Sequence, residues 1–134
     1  MENCLTVDTT MPDVLITENI IGEEMDKLRQ SCDAVFEPEL WKQPDKLAAM
    51  IGDFRALIVR NQTRVTSELL AAAAKLEIVG RAGVGMDNVD LAAASERGIV
   101  VAFTPEQNTN SVAELTIGLM LGLARMIPAG DVDT

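Results

Sequence analysis

The feature that most constrains the fold of this chain is a regular alternation of short strand-like apolar runs with helical patterns. The strand-like runs are Val14–Ile16, Ala34–Phe36, Ala56–Val59, Glu77–Val79 and Ile99–Val101. The helical patterns between them are Glu23–Gln30, Lys46–Ile51, Ser67–Ala74 and Leu91–Arg97. Strands that alternate with helices predict an α/β domain built on a parallel sheet. Right-handed crossovers then favour the doubly wound strand order 2-1-3-4-5, and the β-branched third to fifth strands favour a sheet covered on both faces.

Size and charge exclude several classes of protein. At 134 residues the chain can bury one core, and 48% apolar with 24% charged residues is typical of a globular domain. A formal net charge of -10 argues against partners such as nucleic acid or an anionic membrane. The longest apolar run, Thr116–Ala124, is too short to cross a bilayer, and Met1–Leu5 does not resemble a secretory start, so we expect a cytoplasmic protein.

The cysteines and the missing histidine limit the chemistry. Cys4 and Cys32 lie far apart in sequence, which favours two isolated thiols over one disulfide. The chain contains no histidine, so we expect no metal site and no catalytic residue within it.

Polar and glycine residues follow the third, fourth and fifth predicted strands. These are Arg60 and Asn61, the segment Arg81–Gly85, and Asn108. Neighbouring strands lie about 5 Å apart, and ligands of parallel sheets bind outside the carboxyl ends of the strands. The sequence therefore predicts a rim that holds a small carboxylate or phosphate, although Gly83 and Gly85 could instead be plain turn residues.

The helix after this glycine segment contributes little to the predicted anion site. Asp87 is expected to cap that helix, with Asp90 in its first turn, and both would partly neutralise the helix N-terminus. An anion would then depend on the backbone amides of Ala82–Gly85.

The last predicted helix is apolar on nearly all sides. The capping box Ser111–Glu114 indicates a start near Ser111, and the helix should end before Pro128. Gly118 and Gly122 form a smooth stripe, so we expect this helix to pack against a second domain or another subunit in a dimer or larger assembly.

Taken together, these motifs resemble the D-isomer-specific 2-hydroxyacid dehydrogenases, and most closely the phosphoglycerate dehydrogenase branch. The resemblance covers about residues 12 to 130. The segments that carry it are Leu57–Asn61, Thr63–Leu70, Val79–Asp90, Gly98–Val101, Thr104–Pro105, Asn108, Ser111–Leu115 and Arg125–Pro128.

The resemblance implies an NAD-dependent oxidoreductase that interconverts a 2-hydroxy acid and a 2-oxo acid, with 3-phosphoglycerate or another doubly anionic acid as the candidate substrate. The sequence before Pro12 predicts a loose extension over residues 1–11. The resemblance implies a flavodoxin-like substrate-binding domain over 12–108, and a long apolar linking and dimerisation helix over 109–134 that leads to an NAD-binding domain outside the chain. By the resemblance, substrate-binding roles fall to Arg60, Asn61, Arg81, Ala82, Gly83, Val84, Gly85 and Asn108. Val84 would also lie near the nicotinamide.

The sequence also departs from the family pattern. The histidine–glutamate pair and carbonyl-polarising arginine of the family chemistry have no match, and neither does its GxGxxG loop, so the chain alone is expected to be inactive. Phe103 stands where many relatives carry asparagine. A non-enzymatic flavodoxin-like module that binds a small carboxylate is the alternative hypothesis. A self-sufficient enzyme is less favoured, because no Asp or Glu pair falls on the rim.

Overall fold

A computed structural model of the chain describes residues 13–105 and 108–125. Its strands are β1 (Val14–Ile16), β2 (Ala34–Phe36), β3 (Ala56–Val59), β4 (Ile78–Arg81) and β5 (Val100–Phe103). Its helices are α1 (Glu23–Ser31), α2 (Pro44–Met50), α3 (Ser67–Ala72), α4 (Leu91–Glu96) and α5 (Thr109–Ala124), with short 3-10 turns at Leu40–Lys42 and Ile51–Asp53. The predicted alternation of strands and helices is confirmed, and β1, β2 and β3 lie where the sequence places them.

The five strands form one parallel sheet in the order β2-β1-β3-β4-β5, as predicted. The expected bounds of β4 and β5 were wrong, because both strands run further toward their carboxyl ends. Gly80 pairs with Ile58 and with Ala102, and Arg81 pairs with Val59 and with Phe103. In β4, glycine and arginine give no apolar strand signal, so the sequence pattern stops before the hydrogen-bonded ladder does. Strand β5 is longer because Ala102 and Phe103 pair with this extension of β4.

The core lies on one side of β3 and β4. Leu57, Val59 and Val79 are fully buried there and pack with Leu70 of α3 and Ala94 of α4. This burial holds the helical layer against the sheet.

The opposite face of the sheet is open at its β5 side. Val100 is 59% exposed, and Ile78 is also exposed. The expectation that the third to fifth strands are covered on both faces is therefore wrong for the described residues, because no helix of the unit that ends at Thr104 covers these two side chains.

The structure shows which residues cap α3 and α4. Thr66 caps α3, since its Oγ1 accepts a hydrogen bond from the Leu69 N–H at 3.3 Å. Helix α4 is capped by Asp90, whose Oδ1 accepts from the Ala93 N–H at 3.0 Å. The expected cap at Asp87 is wrong because the helical backbone begins only at Leu91.

The capping box expected at Ser111 is also wrong. Helix α5 begins at Thr109, and the N–H of Val112 already donates to the carbonyl of Asn108 at 2.9 Å. Ser111 therefore lies inside the first turn and cannot cap it. Asn108 occupies the cap position without a side-chain hydrogen bond.

The described residues fall into two compact units, one ending at Thr104 and the other beginning at Pro105. In the second unit, α5 is a 16-residue helix whose large apolar side chains are exposed. None of the described helices is long and apolar enough to span a membrane. The predicted extension over residues 1–11, and Cys4 with it, lies outside the described residues. Cys32 has no disulfide partner within the part of the chain that the structure describes.

Candidate functional site

The carboxyl ends of β3, β4 and β5 form the rim that the sequence predicts. Arg60 and Asn61 follow β3 directly, Arg81 is the last residue of β4, and the glycine segment follows it. Val59 pairs with Arg81, and Arg81 pairs with Phe103, so the three strand ends are adjacent. Asn108 belongs to the unit that begins at Pro105, and its assignment to this site stays a prediction.

A shallow cleft of about 220 Å³ opens at this rim. It is lined by Ile58, Gly80, Arg81, Ala82, Ala102, Phe103 and Thr104. Ile58, Gly80 and Ala102 stand side by side in the sheet, and the two small residues leave the space above the strands open. The cleft thus has an apolar floor with one cationic side chain, Arg81, at its edge.

The guanidinium of Arg81 lies over the glycine segment. A Cβ added to Gly83 would lie 1.8 Å from Arg81 Nη1 and 2.8 Å from its Cζ. Gly83 also has a φ of +152°, which favours glycine. This glycine is therefore more than a turn residue, because the missing side chain leaves the space that Arg81 occupies.

Not all the amides of the glycine segment are available to a ligand. The N–H of Ala82 donates to the Val59 carbonyl at 2.8 Å, and the N–H of Gly83 donates to the Arg81 carbonyl at 2.9 Å. The four amides that the sequence predicts to bind an anion are therefore not equivalent, since those of Ala82 and Gly83 already donate to backbone carbonyls. Among the described residues, the amides of Val84 and Gly85 have no such backbone partner.

Arg81 itself keeps a donor unused. Its Nε is buried and has no hydrogen-bond partner within the described part of the chain. A buried donor without a partner is costly, and a charged donor binds an anion more strongly than a neutral one does. The Arg81 cation and the two amides without backbone partners together suit a small carboxylate.

Glu18, which the sequence analysis missed, anchors the loop that carries Arg60 and Asn61. This side chain is 4% exposed. Its carboxylate accepts four backbone N–H groups: Arg60 at 2.9 Å, Asn61 at 3.2 Å, Gln62 at 3.1 Å and Thr63 at 2.9 Å. Burial alone would raise the pKa of Glu18, but the hydrogen bonds from Thr63, Arg60 and Gln62 outweigh it and hold the pKa below its ordinary value.

Asn88 ties the same loop to the segment that follows β4. Its Nδ2 donates to the carbonyl of Arg60 at 3.1 Å and to that of Thr63 at 2.8 Å. The hydroxyls of Thr17 and Thr63 are also hydrogen-bonded, at 2.8 Å. These contacts join the loops after β1, β3 and β4 into one structure.

A signal for Glu18 was present in the sequence. Glu18 stands two residues after β1, and the order 2-1-3 makes β1 a neighbour of β3. An acidic residue at one strand end beside a loop of free amides at the next is a plausible pair. The amides of this loop bind an internal carboxylate and not a ligand, which is why Glu18 does not stand out as a site residue in the sequence.

Comparison with known proteins places these features in one family. A family model described as "D-isomer specific 2-hydroxyacid dehydrogenase, catalytic domain" matches residues 14–126. The D-3-phosphoglycerate dehydrogenase of Archaeoglobus fulgidus is 44% identical over 118 residues, which are 88% of this chain and 22% of that enzyme. The chain therefore spans about a fifth of the length of this relative.

Solved structures agree with the fold. The TT0316 protein of Thermus thermophilus superposes with a TM-score of 0.81 and 32% identity, over 90% of this chain and 39% of that one. A 3-phosphoglycerate dehydrogenase of Entamoeba histolytica, solved with bound NAD+, has a TM-score of 0.67 and 32% identity over 84% of this chain and 39% of its own. Both similarities cover nearly all of this chain but less than half of the neighbour.

Proposed function

The chain belongs to the D-isomer specific 2-hydroxyacid dehydrogenase family, and on that premise we propose that it is the substrate-binding domain of an NAD-dependent dehydrogenase. The reaction would interconvert a 2-hydroxy acid and a 2-oxo acid. The observation that carries the proposal is the placement of Arg81 over Gly83, beside two amides without backbone partners. The names of the related enzymes support this reaction class.

Within this proposal the rim residues have different tasks. The amides of Val84 and Gly85, with the Arg81 guanidinium, bind the substrate carboxylate. Ala82 and Gly83 shape the loop. The exposed side chains of Arg60 and Asn61 meet a second polar or anionic group, which favours a doubly anionic substrate such as 3-phosphoglycerate. Asn108 is proposed as a further contact to the substrate.

The chain can contribute only part of the NAD site. Val84 is exposed on the glycine segment and offers the nicotinamide an apolar contact. The sequence has no GxGxxG loop, so the residues that hold the cofactor's phosphates must lie elsewhere in the complete enzyme. NAD, when bound, supplies the hydride acceptor or donor of the reaction.

The proton chemistry must also come from outside this chain. The sequence has no histidine, and no carboxylate pair stands on the rim. We therefore expect no NAD-dependent turnover by the 134-residue chain alone.

In the complete enzyme α5 would link the two domains and form part of a homodimer interface. The protein would be cytoplasmic.

The test is an Arg60→Ala substitution in the complete enzyme, assayed with 3-phosphoglycerate and with D-lactate. Removing one cation that contacts a phosphate should lower kcat/KM for 3-phosphoglycerate about 10-fold or more beyond the loss for D-lactate, since a charged hydrogen bond is worth about 1.5–3 kcal/mol. Arg97→Ala, a change at another exposed arginine, is the matched control and should alter neither value.

Three results would contradict the proposal. Equal losses with both acids would exclude the doubly anionic substrate. NADH formation by the isolated chain would contradict the assignment of catalysis to another domain. Binding of small carboxylates by the complete protein without turnover of any 2-hydroxy acid would favour the non-enzymatic binding module instead.

A further inference from the structure

We propose that Glu18 is a positioning residue that sets the place of the substrate-binding side chains Arg60 and Asn61. The inference rests on the proposed function and extends it to a residue behind the rim. Glu18 is 4% exposed, so it acts on the substrate only through the loop that it holds.

The hydrogen bonds show how the carboxylate controls the loop. One oxygen accepts the N–H groups of Arg60 and Thr63, each at 2.9 Å, and the other accepts those of Asn61 and Gln62 at 3.2 and 3.1 Å. Four consecutive amides thus point at one buried anion. Because backbone N–H groups directly before and after the Arg60 side chain are tied, the backbone there cannot rotate without breaking a charged hydrogen bond.

The side chain of Asn88 restrains the same loop by binding the carbonyl groups of the loop. Its Nδ2 binds the carbonyls of Arg60 and Thr63, the first and last residues of the segment that Glu18 holds. The loop is therefore held through its N–H groups by Glu18 and through its C=O groups by Asn88. Since Asn88 follows the glycine segment, its hydrogen bonds also connect the β3 and β4 parts of the rim.

The occupied amides have a consequence for substrate choice. Consecutive backbone N–H groups at a strand end form a natural anion site. Here Glu18 already fills that site, so a substrate anion near β3 must be met by the side chains of Arg60 and Asn61. Within the described residues, Arg60 makes no ion pair that would compete for its guanidinium. Selection of a second anionic group then depends on a correctly placed Arg60.

The experiment compares Glu18→Gln, Glu18→Asp and Asn88→Ala in the complete enzyme. Glutamine keeps the shape but brings an NH₂ group against the amide donors, while aspartate keeps the charge on a shorter stem. Glu96→Gln, which removes one exposed charge, is the matched control. Each variant is assayed for KM and kcat with 3-phosphoglycerate and D-lactate, and amide hydrogen exchange is followed over residues 60–63.

We expect Glu18→Gln to raise KM for 3-phosphoglycerate about 10-fold or more, with a smaller change in kcat and in KM for D-lactate. Amide exchange at residues 60–63 should accelerate. Glu18→Asp should raise this KM less than Glu18→Gln does, because the negative charge is kept. Asn88→Ala should also raise KM for 3-phosphoglycerate, whereas Glu96→Gln should have the KM of the wild type.

A folded Glu18→Gln enzyme with unchanged KM for both acids would overturn the inference, as would an equal loss for both. If Glu18→Gln does not fold, Glu18→Asp and Asn88→Ala decide the question by the same comparison. If the wild-type protein oxidises no 2-hydroxy acid, the proposed function has failed and with it the positioning role, while the exchange rates still report whether Glu18 holds the loop.

Discussion

Two features of the structure require glycine at position 83, namely its backbone conformation and the space that the Arg81 side chain occupies. Its φ of +152° disfavours any residue with a Cβ, and that Cβ would lie 1.8 Å from Arg81 Nη1. We expect Gly83→Ala to lower the free energy of unfolding by about 1 kcal/mol or more, because alanine is strained at positive φ. It should also weaken substrate binding, because the Arg81 guanidinium must move away.

Gly98→Ala is the control that separates these two effects. Gly98 has a φ of +68°, but an added Cβ would meet nothing within 4 Å. Urea unfolding of both variants should show similar losses of stability, whereas KM in the complete enzyme should rise only for Gly83→Ala. Unchanged KM for Gly83→Ala would show that Arg81 does not need its observed position.

Glu18 should make the stability of the fold sensitive to acid. Its folded-state pKa lies below the ordinary value of 4.5, so its contribution to stability is present above that pH and is lost as the pH falls through the folded pKa. At pH 7 we expect Glu18→Gln to cost about 2–3 kcal/mol, since buried amide donors lose a charged acceptor. Urea unfolding at decreasing pH should show that the difference in free energy of unfolding between wild type and Glu18→Gln becomes smaller below pH 4.5.

The exposed Glu96→Gln variant controls for the loss of one negative charge. Its unfolding midpoint should follow that of the wild type at every pH. If the difference in free energy of unfolding between Glu18→Gln and wild type stays the same at acidic pH, the carboxylate of Glu18 is not charged as inferred.

For single residues, the sequence predicted which strand ends meet. The strand order brings Arg60, Arg81 and the glycines together, and their roles in binding stay predictions. Glu18 and Asn88 were missed because their partners are backbone groups 25 to 45 positions away, which leave no local spacing in the sequence. The Ala82 amide donates to Val59 on the neighbouring strand and the Gly83 amide donates to Arg81 in a tight turn, and neither bond leaves a residue pattern in the sequence.

The first residue of a helix is also difficult to predict from sequence patterns alone. Asp87 and Asp90 both precede α4, and only the structure shows that Asp90 accepts the Ala93 N–H. We expect Asp90→Ala to lower the free energy of unfolding by about 1 kcal/mol. Asp87→Ala, the matched control, should change it by about 0.5 kcal/mol or less. Urea denaturation distinguishes the two, and a larger effect at Asp87 would contradict the observed cap.

The strands were predicted well in their apolar parts and poorly at their carboxyl ends. Val14–Ile16, Ala34–Phe36 and Ala56–Val59 match because their side chains carry the burial signal. β4 continues through Gly80 and Arg81, whose side chains serve the cleft instead of the core. A strand end that builds a site loses the pattern by which strands are recognised, so the errors fall next to the candidate site.

For the molecule as a whole, the described surface has two exposed apolar areas, one on the sheet and one on α5. Val100 and Ile78 leave one sheet face open, and the apolar side chains of α5 are exposed. Large exposed apolar patches are uncommon on isolated domains and mark surfaces that other protein covers. The sequence predicted an apolar helix in need of a partner, but it did not predict the open sheet face, because burial of strands was inferred from composition alone.

The exposed side of α5 leads to a prediction about association. Leu119 and Leu123 are 60% and 75% exposed and stand four residues apart, so they lie on one face of the helix. We expect the wild-type chain to form a dimer or larger assembly in light scattering. Leu119→Gln combined with Leu123→Gln should yield a monomer, because glutamine keeps the helix propensity of leucine while removing the apolar contact. Ile21→Gln is the matched control, since Ile21 is 85% exposed but lies outside α5, and it should leave the assembly unchanged. A wild-type chain that is a clean monomer and binds no hydrophobic dye would contradict the prediction, and so would an assembly that survives both glutamines.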